Sequence, residues 1–484
     1  MFRTDSLRPS ASPVPGSFAV VGFLVLVELV SGLLQGMMPT LLPRIGAELH
    51  VSAGDLNWVS SAQLLSSAVC VPLFARLGDM YGHRRLLRVA VVTLAAGSVL
   101  VAWAPSYAVL LIGRILQGVL AALLPLEIGL VRDRIEPERA RGAVALLVGS
   151  LTFGASAGLL LAGVLGEAMS DVRGVLWVPA IAALLCVGVV FFLVPESVTR
   201  ASGRVDWAGA LLLSTGLAAL LLGIAQGPRW GWTDGRTLML FAVAVVIATV
   251  WVRVELRVAD PVVDLRLTAR RELLPVYLAA FMVGVATFGA QTAAAVFVAS
   301  PRAQLGYGFG YGTLDIAWIM LPNGLMALAA AGVAGRLAKA VGSRTVLTAG
   351  GGAMTIGYVV LTLAHEQPWQ FVLANCLIGF ATGLCISAMP ALIMDASPAE
   401  RTGIATGIHN TTKTLGGSVA GAVFAAVLTA ITLPGTEIPT ENAYRTVWAC
   451  CAGVALLIVV SALTVRAGGT DRRTVAQPQP TTSG

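Results

Sequence analysis

The chain is a succession of long apolar runs cut by short polar turns. Read in order, runs near Phe18–Thr40, Leu56–Phe74, Leu86–Ala104, Ala108–Val131, Ala143–Leu165, Val175–Leu193, Trp207–Ile224, Leu238–Val254, Leu274–Ala299, Ala317–Leu337, Thr345–Ala364, Phe371–Met394, Ile404–Leu428 and Val447–Val465 predict fourteen helices. Each is close to the ~20 residues a helix needs to cross a hydrocarbon core of about 30 Å. A helix satisfies its own backbone hydrogen bonds in lipid, so a helical bundle is expected rather than a β-barrel.

Charge follows the same rhythm. Arginines gather in alternate connections: Arg76 to Arg88, Arg132 to Arg141, Arg200 to Arg204, Arg253 to Arg271, Arg336 to Arg344, and Arg401. By the positive-inside tendency these connections and both termini face the cytoplasm. The first run follows Arg3 and Arg8 without a cleavage site and reads as a retained helix. The polar tail 467–484 reads as disordered.

Composition agrees with an all-α integral membrane protein. With 57% hydrophobic and 12% charged residues, the 484-residue chain has too little polar surface to cover a soluble globule. The net charge of +7 sits in the loops, so topology explains it and no nucleic-acid partner is expected. Cys70, Cys186, Cys376, Cys385, Cys450 and Cys451 lie in or at the ends of apolar runs, which argues against a disulfide framework. Neither a phosphate-binding glycine loop nor a metal-ligand spacing occurs, so no enzyme activity, cofactor or metal is expected.

An internal echo divides the chain. The segment Gly335-Arg-Leu-Ala-Lys-Ala-Val-Gly-Ser-Arg344 repeats the pattern of Ala75-Arg-Leu-Gly-Asp-Met-Tyr-Gly-His-Arg-Arg85. Two six-helix halves, 1–200 and 259–466, follow from it, with two extra helices in 201–258 and the tail beyond. Trp230 and Trp232 suit an interfacial turn between the extra helices.

Three motifs carry a family resemblance. Gly78 and Gly82 permit a tight turn beside Asp79, followed by Arg84 and Arg85; Arg114 lies inside a span ahead of Gln117 and Gly118; and Gly149, Gly154, Gly158 and Gly163 punctuate the helix from Ala143. These resemble the signature loop between the second and third helices, the fourth-helix motif and the fifth-helix antiporter motif of the major facilitator superfamily. Leu159 stands where the last motif has proline, Ala162 replaces a glycine, and His83 replaces the usual arginine of the loop.

The likeness covers the chain up to its tail, and fourteen spans point to the drug:proton antiporter branch. It implies two six-helix bundles related by a pseudo-two-fold axis, with two additional central helices. It further implies a monomer in the bacterial cytoplasmic membrane, in contact with lipids, that exports a small amphipathic or lipophilic compound in exchange for protons by alternating access. A lipid or glycolipid exporter, a carrier without proton coupling, and a transport-inactive sensor or scaffold stay open. The costly mid-membrane Glu28 and Arg114 argue against the last.

Candidate residues follow. Glu28, Ser31, Gly32 and Gln35 share one face of the first helix. Burial in hydrocarbon favours the protonated form of a lone carboxylate, the property proton coupling requires. Arginine within a span costs at least about 2.5 kcal/mol, so Arg114 should face a cavity or a partner, with Glu28 its nearest charged neighbour by depth; snorkelling to the interface is the alternative. Glu127 falls on a different face of that span, nearer its cytoplasmic end. Substrate-binding candidates are Gln35, Trp58, Gln63, Gln117, Phe288, Gln291, Asn323, His409, Asn410 and Lys413. Gating candidates are Asp79, Gly82, His83, Arg84, Asp133, Gly154 and Gly158.

Overall fold

The computed structural model describes residues 17–134, 137–194, 206–258, 261, 265–268, 272–396 and 402–465. Fourteen helices among them are long and apolar enough to cross a membrane. They are α1 Ser17–Leu49, α2 Ala53–Tyr81, α3 His83–Trp103, α4 in two pieces Tyr107–Gln117 and Leu123–Arg134, α5 Pro137–Ala168, α6 Val172–Phe192, α7 Trp207–Trp230, α8 Gly235–Glu255, α9 in two pieces Leu274–Gly284 and Ala290–Ala299, α10 Thr313–Val341, α11 Ser343–Leu363, α12 Pro368–Ala396, α13 Thr402–Ala430 and α14 Glu441–Thr464. The predicted spans all fall within these helices or overlap them.

Several helices outrun their apolar cores. The last turns of α1 carry Arg44 and Glu48, a pair 3.8 Å apart. Both side chains bind the α5–α6 turn: Arg44 donates to the carbonyls of Gly166, Met169 and Ser170 at the end of α5, and Glu48 accepts from the Val172 amide at 3.0 Å. A cation on a helix C-terminus and a carboxylate on a helix N-terminus satisfy the groups that helix ends leave unpaired.

Large apolar side chains such as Leu185, Phe192, Leu211, Val245, Val246 and Leu363 are exposed, the surface a bilayer would cover. Lipid tails are as apolar as leucine, so helices there associate through close backbone approach at small residues. The α1–α5 crossing is built that way. A Cβ on Gly32 or Gly36 would overlap the carbonyl of Leu151 or Ala155, and one on Gly154 or Gly158 the carbonyl of Leu29 or Leu33. The α9–α13 crossing repeats the device, with Gly284 against the Lys413 carbonyl and Gly416 against that of Phe281.

The loop echo has a backbone counterpart. Gly82 joins α2 to α3 at φ 102°, ψ 128°, and Gly342 joins α10 to α11 at φ 85°, ψ 145°. Only glycine enters that region without strain, so both turns demand the same residue at the same register.

The first half comprises α1–α6 and the second α9–α14, meeting where α2 packs along α13 and α5 along α10. Ser418 Oγ donates to the Ser61 carbonyl at 3.1 Å and the Ser60 and Thr292 hydroxyls lie 3.0 Å apart, while Gly163 and Gly166 press on Leu314 and Thr313. The α7–α8 hairpin lies against α2 and α13, touching both halves, with Arg229 donating to Asp55 at 2.7 Å. The six cysteines are free. The expected tail at 467–484 lies outside the described residues.

Candidate functional site

Two helices break their regular winding at the middle of the bundle. In α4 a 3-10 turn, Gly118–Ala122, separates the two pieces, and in α9 a π-helical turn, Val285–Gly289, does the same. Such turns leave carbonyls without their usual partners. Tyr358 supplies one replacement, its hydroxyl donating to the Ala286 carbonyl.

The break in α4 decides which side chains face inward. Counted at about 100° per residue along an unbroken α-helix, Glu127 would lie about 140° around from Arg114. The five-residue turn winds at about 120° per residue, which adds about 100° and leaves the two roughly 40° apart. Both are consequently buried in the first half, Glu127 fully.

There Glu127 meets Glu28. The two carboxyls lie close enough to act on one another, with Ser31 beside Glu28 and Cys186 of α6 beside Glu127. Among the described residues, no oxygen of either carboxyl meets a protein donor in hydrogen-bonding geometry. Their neighbours along the two helices are apolar: Leu24 and Val27 of α1 and Leu123, Leu126 and Leu130 of α4 are buried in one cluster.

Arg114 is engaged elsewhere, which corrects the expectation that it neighbours Glu28. Its Nε donates to the Val59 carbonyl at 3.0 Å and its Nη1 to Gln117 Oε1 at 2.7 Å; Gln117 Nε2 passes the chain on to Ser98 Oγ at 3.0 Å. At 4% exposure Arg114 does not snorkel either. The guanidinium pins α2, α3 and α4 together. Arg114→Ala is therefore expected to lower the melting temperature in detergent, since hydrogen bonds to a charged group contribute about 1.5–3 kcal/mol each. Transport by the surviving protein should keep the wild-type pH profile, and a displaced profile would restore Arg114 to contact with the carboxyl.

A cavity of about 250 Å³ opens between the halves. From the first half, Gln35, Gly36, Ala155, Ser156 and Leu159 line it; the larger share of its wall comes from α9, α10, α11, α12 and α14 of the second. The four candidates Gln35, Phe288, Gln291 and Asn323 are brought together there. Asn323 Nδ2 donates to the Asn375 carbonyl at 3.1 Å, and the Thr287 and Thr382 hydroxyls are 3.5 Å apart. Trp448 and Tyr358 supply aromatic wall. Beyond Trp448, rings of Phe297, Phe371 and Tyr444 and the His365 imidazole pack with centroids 5.0–6.4 Å apart and fill the space toward the α14 N-terminus.

Six binding candidates lie outside this lining. Gln117 is taken by Arg114 and Ser98, while Trp58 and Gln63 sit on α2. His409 is buried on α13 within electrostatic reach of Lys413, and Asn410 neighbours it there. Asn375, Thr382, Tyr358 and Trp448 were missed by the sequence reading. Asn375 and Thr382 stand at i, i+7 on one face of α12, a sparser form of the polar spacing that singled out α1.

Among gating candidates, Gly82 makes the tight turn described above. His83 is buried with its ring against Gly78 and Gly129, and Arg84 donates to the Phe191 carbonyl at 3.2 Å. Gly154 and Gly158 form the α1–α5 crossing. The side chains of Asp79 and Asp133 lie outside the described residues.

Comparisons with known proteins agree with this architecture. The model of the Major Facilitator Superfamily matches residues 24–421 and again 276–482. The multidrug resistance protein Stp of Mycobacterium tuberculosis (strain CDC 1551 / Oshkosh) is 28% identical over 393 residues, 80% of this chain and 72% of that protein. The tetracenomycin C resistance and export protein of Streptomyces glaucescens is 27% identical over 406 residues, 80% of this chain and 71% of that protein. A crystal structure of the nucleoside transporter NupG superposes with a TM-score of 0.67 at 11% identity, covering 93% of this chain and 100% of that one. With the family model spanning most of its length, fourteen membrane helices and two echoing halves around a central cavity, the chain belongs to the major facilitator superfamily, a family of transporters.

Proposed function

We propose that this transporter exports small amphipathic molecules in exchange for protons, with Glu28 and Glu127 as the proton-carrying pair and the central cavity as the substrate site. The single observation that carries the coupling is the facing of two buried carboxyls with no cation between them among the described residues. Like charges so close in an apolar setting cannot both be ionised, so the pair holds and exchanges a proton as a unit. Export is supported by two relatives whose names describe drug resistance and antibiotic export. The arginine-rich connections support cytoplasmic termini by the positive-inside tendency, and the bacterial sources of the relatives support a bacterial cytoplasmic membrane.

Arg114 has a positioning part in this scheme, tying the first α4 piece, ahead of the 3-10 turn that leads to Glu127, to α2 and α3. Glycines at the α1–α5 crossing and the Gly82 turn keep the first half rigid while it rocks against the second.

The test is reconstitution. Purified protein in liposomes, given an imposed pH gradient and challenged with lipophilic cations, neutral polycyclic compounds and lipids, should move a non-lipid compound against its gradient and dissipate the pH difference as it does so. Rates unchanged by an ionophore that collapses the gradient would remove proton coupling. Movement of lipids alone would favour a lipid exporter, and binding without any movement would favour a sensor.

A further inference from the structure

The lining of the central cavity has a property that neither its size nor the family explains: among the described residues that form it, none carries a charge. Its polar groups are carboxamides and hydroxyls. Gln35, Gln291, Asn323 and Asn375 present amide groups, and Gln291 is exposed to the space. One donor of each asparagine is already engaged: Asn323 Nδ2 donates to the Asn375 carbonyl and Asn375 Nδ2 to the Phe371 carbonyl at 3.0 Å. Each carboxamide still offers a second N–H and an oxygen, a donor and an acceptor in one group. Trp448 contributes its ring to the same wall, its indole nitrogen being buried.

The buried acids stand apart from this space. Glu28 precedes Gln35 by seven residues on α1, about two turns or roughly 10 Å along the helix. Arg114 is enclosed by Val59 and Gln117. A charged ligand in the cavity would thus lose hydration and find no counter-ion, a cost that hydrogen bonds to neutral amides offset only in part. An uncharged ligand with acceptors and donors at its edge would find both matched, and its apolar body would lie against Phe288 and Trp448. The volume of about 250 Å³ falls just below the roughly 300–1,000 Å³ of drug-sized sites, which suits a small fused-ring molecule.

We infer that the cavity selects uncharged, hydrogen-bonding, aromatic molecules and rejects both cations and anions of the same shape. This rests on reading the cavity as the substrate site. It separates cargo from proton: the two do not compete for one carboxylate.

A matched series tests it. Three fluorescent probes share the anthracene ring and differ in charge: 9-anthracenecarboxamide, 9-anthracenecarboxylate and (anthracen-9-ylmethyl)trimethylammonium. Titrated against the full-length protein in detergent, the carboxamide should bind about tenfold or more tightly than either ion. Gln291→Glu should raise the affinity for the ammonium probe by on the order of tenfold and lower that for the carboxylate. Asn323→Asp provides the same readout from the opposite wall should Gln291→Glu fail to fold. Equal binding of the ammonium and carboxamide probes by the wild-type protein, no binding of the carboxamide by protein that melts normally, or an unaltered order in both acidic variants would overturn the inference. The two readings fail separately. Neutral preference in binding with no gradient-driven movement would sink the exporter and keep the selectivity, whereas vigorous export of the ammonium probe over the amide would do the reverse.

Discussion

Glu28→Gln and Glu127→Gln are each expected to abolish export driven by a pH gradient, and the double variant should be no worse than either alone. Glutamine keeps the shape of the side chain and removes the titratable group. A neutral amide is also easier to bury than a carboxylate, so both variants should insert and fold. Residues that act as one unit are not additive, and a proton shared by two carboxyls has no carrier once one is replaced. Binding of an uncharged probe in the cavity should stay within about twofold of wild type, because the pair lies roughly 10 Å along α1 from Gln35. Efflux from liposomes and equilibrium titration measure the two quantities on the same preparations. Wild-type efflux by Glu127→Gln, with Glu28→Gln inactive, would dissolve the pair and leave Glu28 acting alone.

The second large effect is structural. Gly36→Val and Gly158→Val should strip the protein of its folded population, because each new side chain would meet backbone of the facing helix rather than a movable side chain. Overpacking a core costs about 1–3 kcal/mol and occasionally more. With a carbonyl as the obstacle, α1 and α5 must separate along their length. Gly149 offers the control, since nothing lies within 4 Å of the position a Cβ would take there. Gly149→Ala should melt with the wild type. Monodisperse yield and melting temperature by fluorescence-detected chromatography read the difference, and a Gly36→Val variant as stable as Gly149→Ala would contradict the close crossing.

That contrast also marks how far the sequence could be read. Gly149, Gly154 and Gly158 look alike in a motif, yet only the latter two touch α1, because which face of α5 meets a neighbour is a tertiary fact. The number and order of helices were legible, since an apolar run long enough to span lipid has few other uses. The Gly335–Arg344 echo was legible too, as the same turn requires the same glycine. Glu127 was not. Its direction depends on five residues of 3-10 winding at Gly118–Ala122, and a reading at uniform helical pitch put it on a different face from Arg114. Arg114 was rightly singled out as costly, but its cost is met by Val59 and Gln117 rather than by an acid, and local spacing does not tell a carbonyl partner from a carboxylate. The cavity candidates on α9 and α10 came together, whereas those on α2 and α13 are not part of its lining.

The position of Glu28 on α1, two turns from Gln35, has an electrical consequence. An exchanger whose proton rides on a carboxyl pair while an uncharged molecule occupies a separate space transfers net charge in every cycle. The membrane voltage then drives it alongside the pH difference, at about 2.3 kcal/mol per charge for each 100 mV. Such a carrier keeps working when the medium is as alkaline as the cell interior, a condition under which an electroneutral exchange of one cation for one proton would stall.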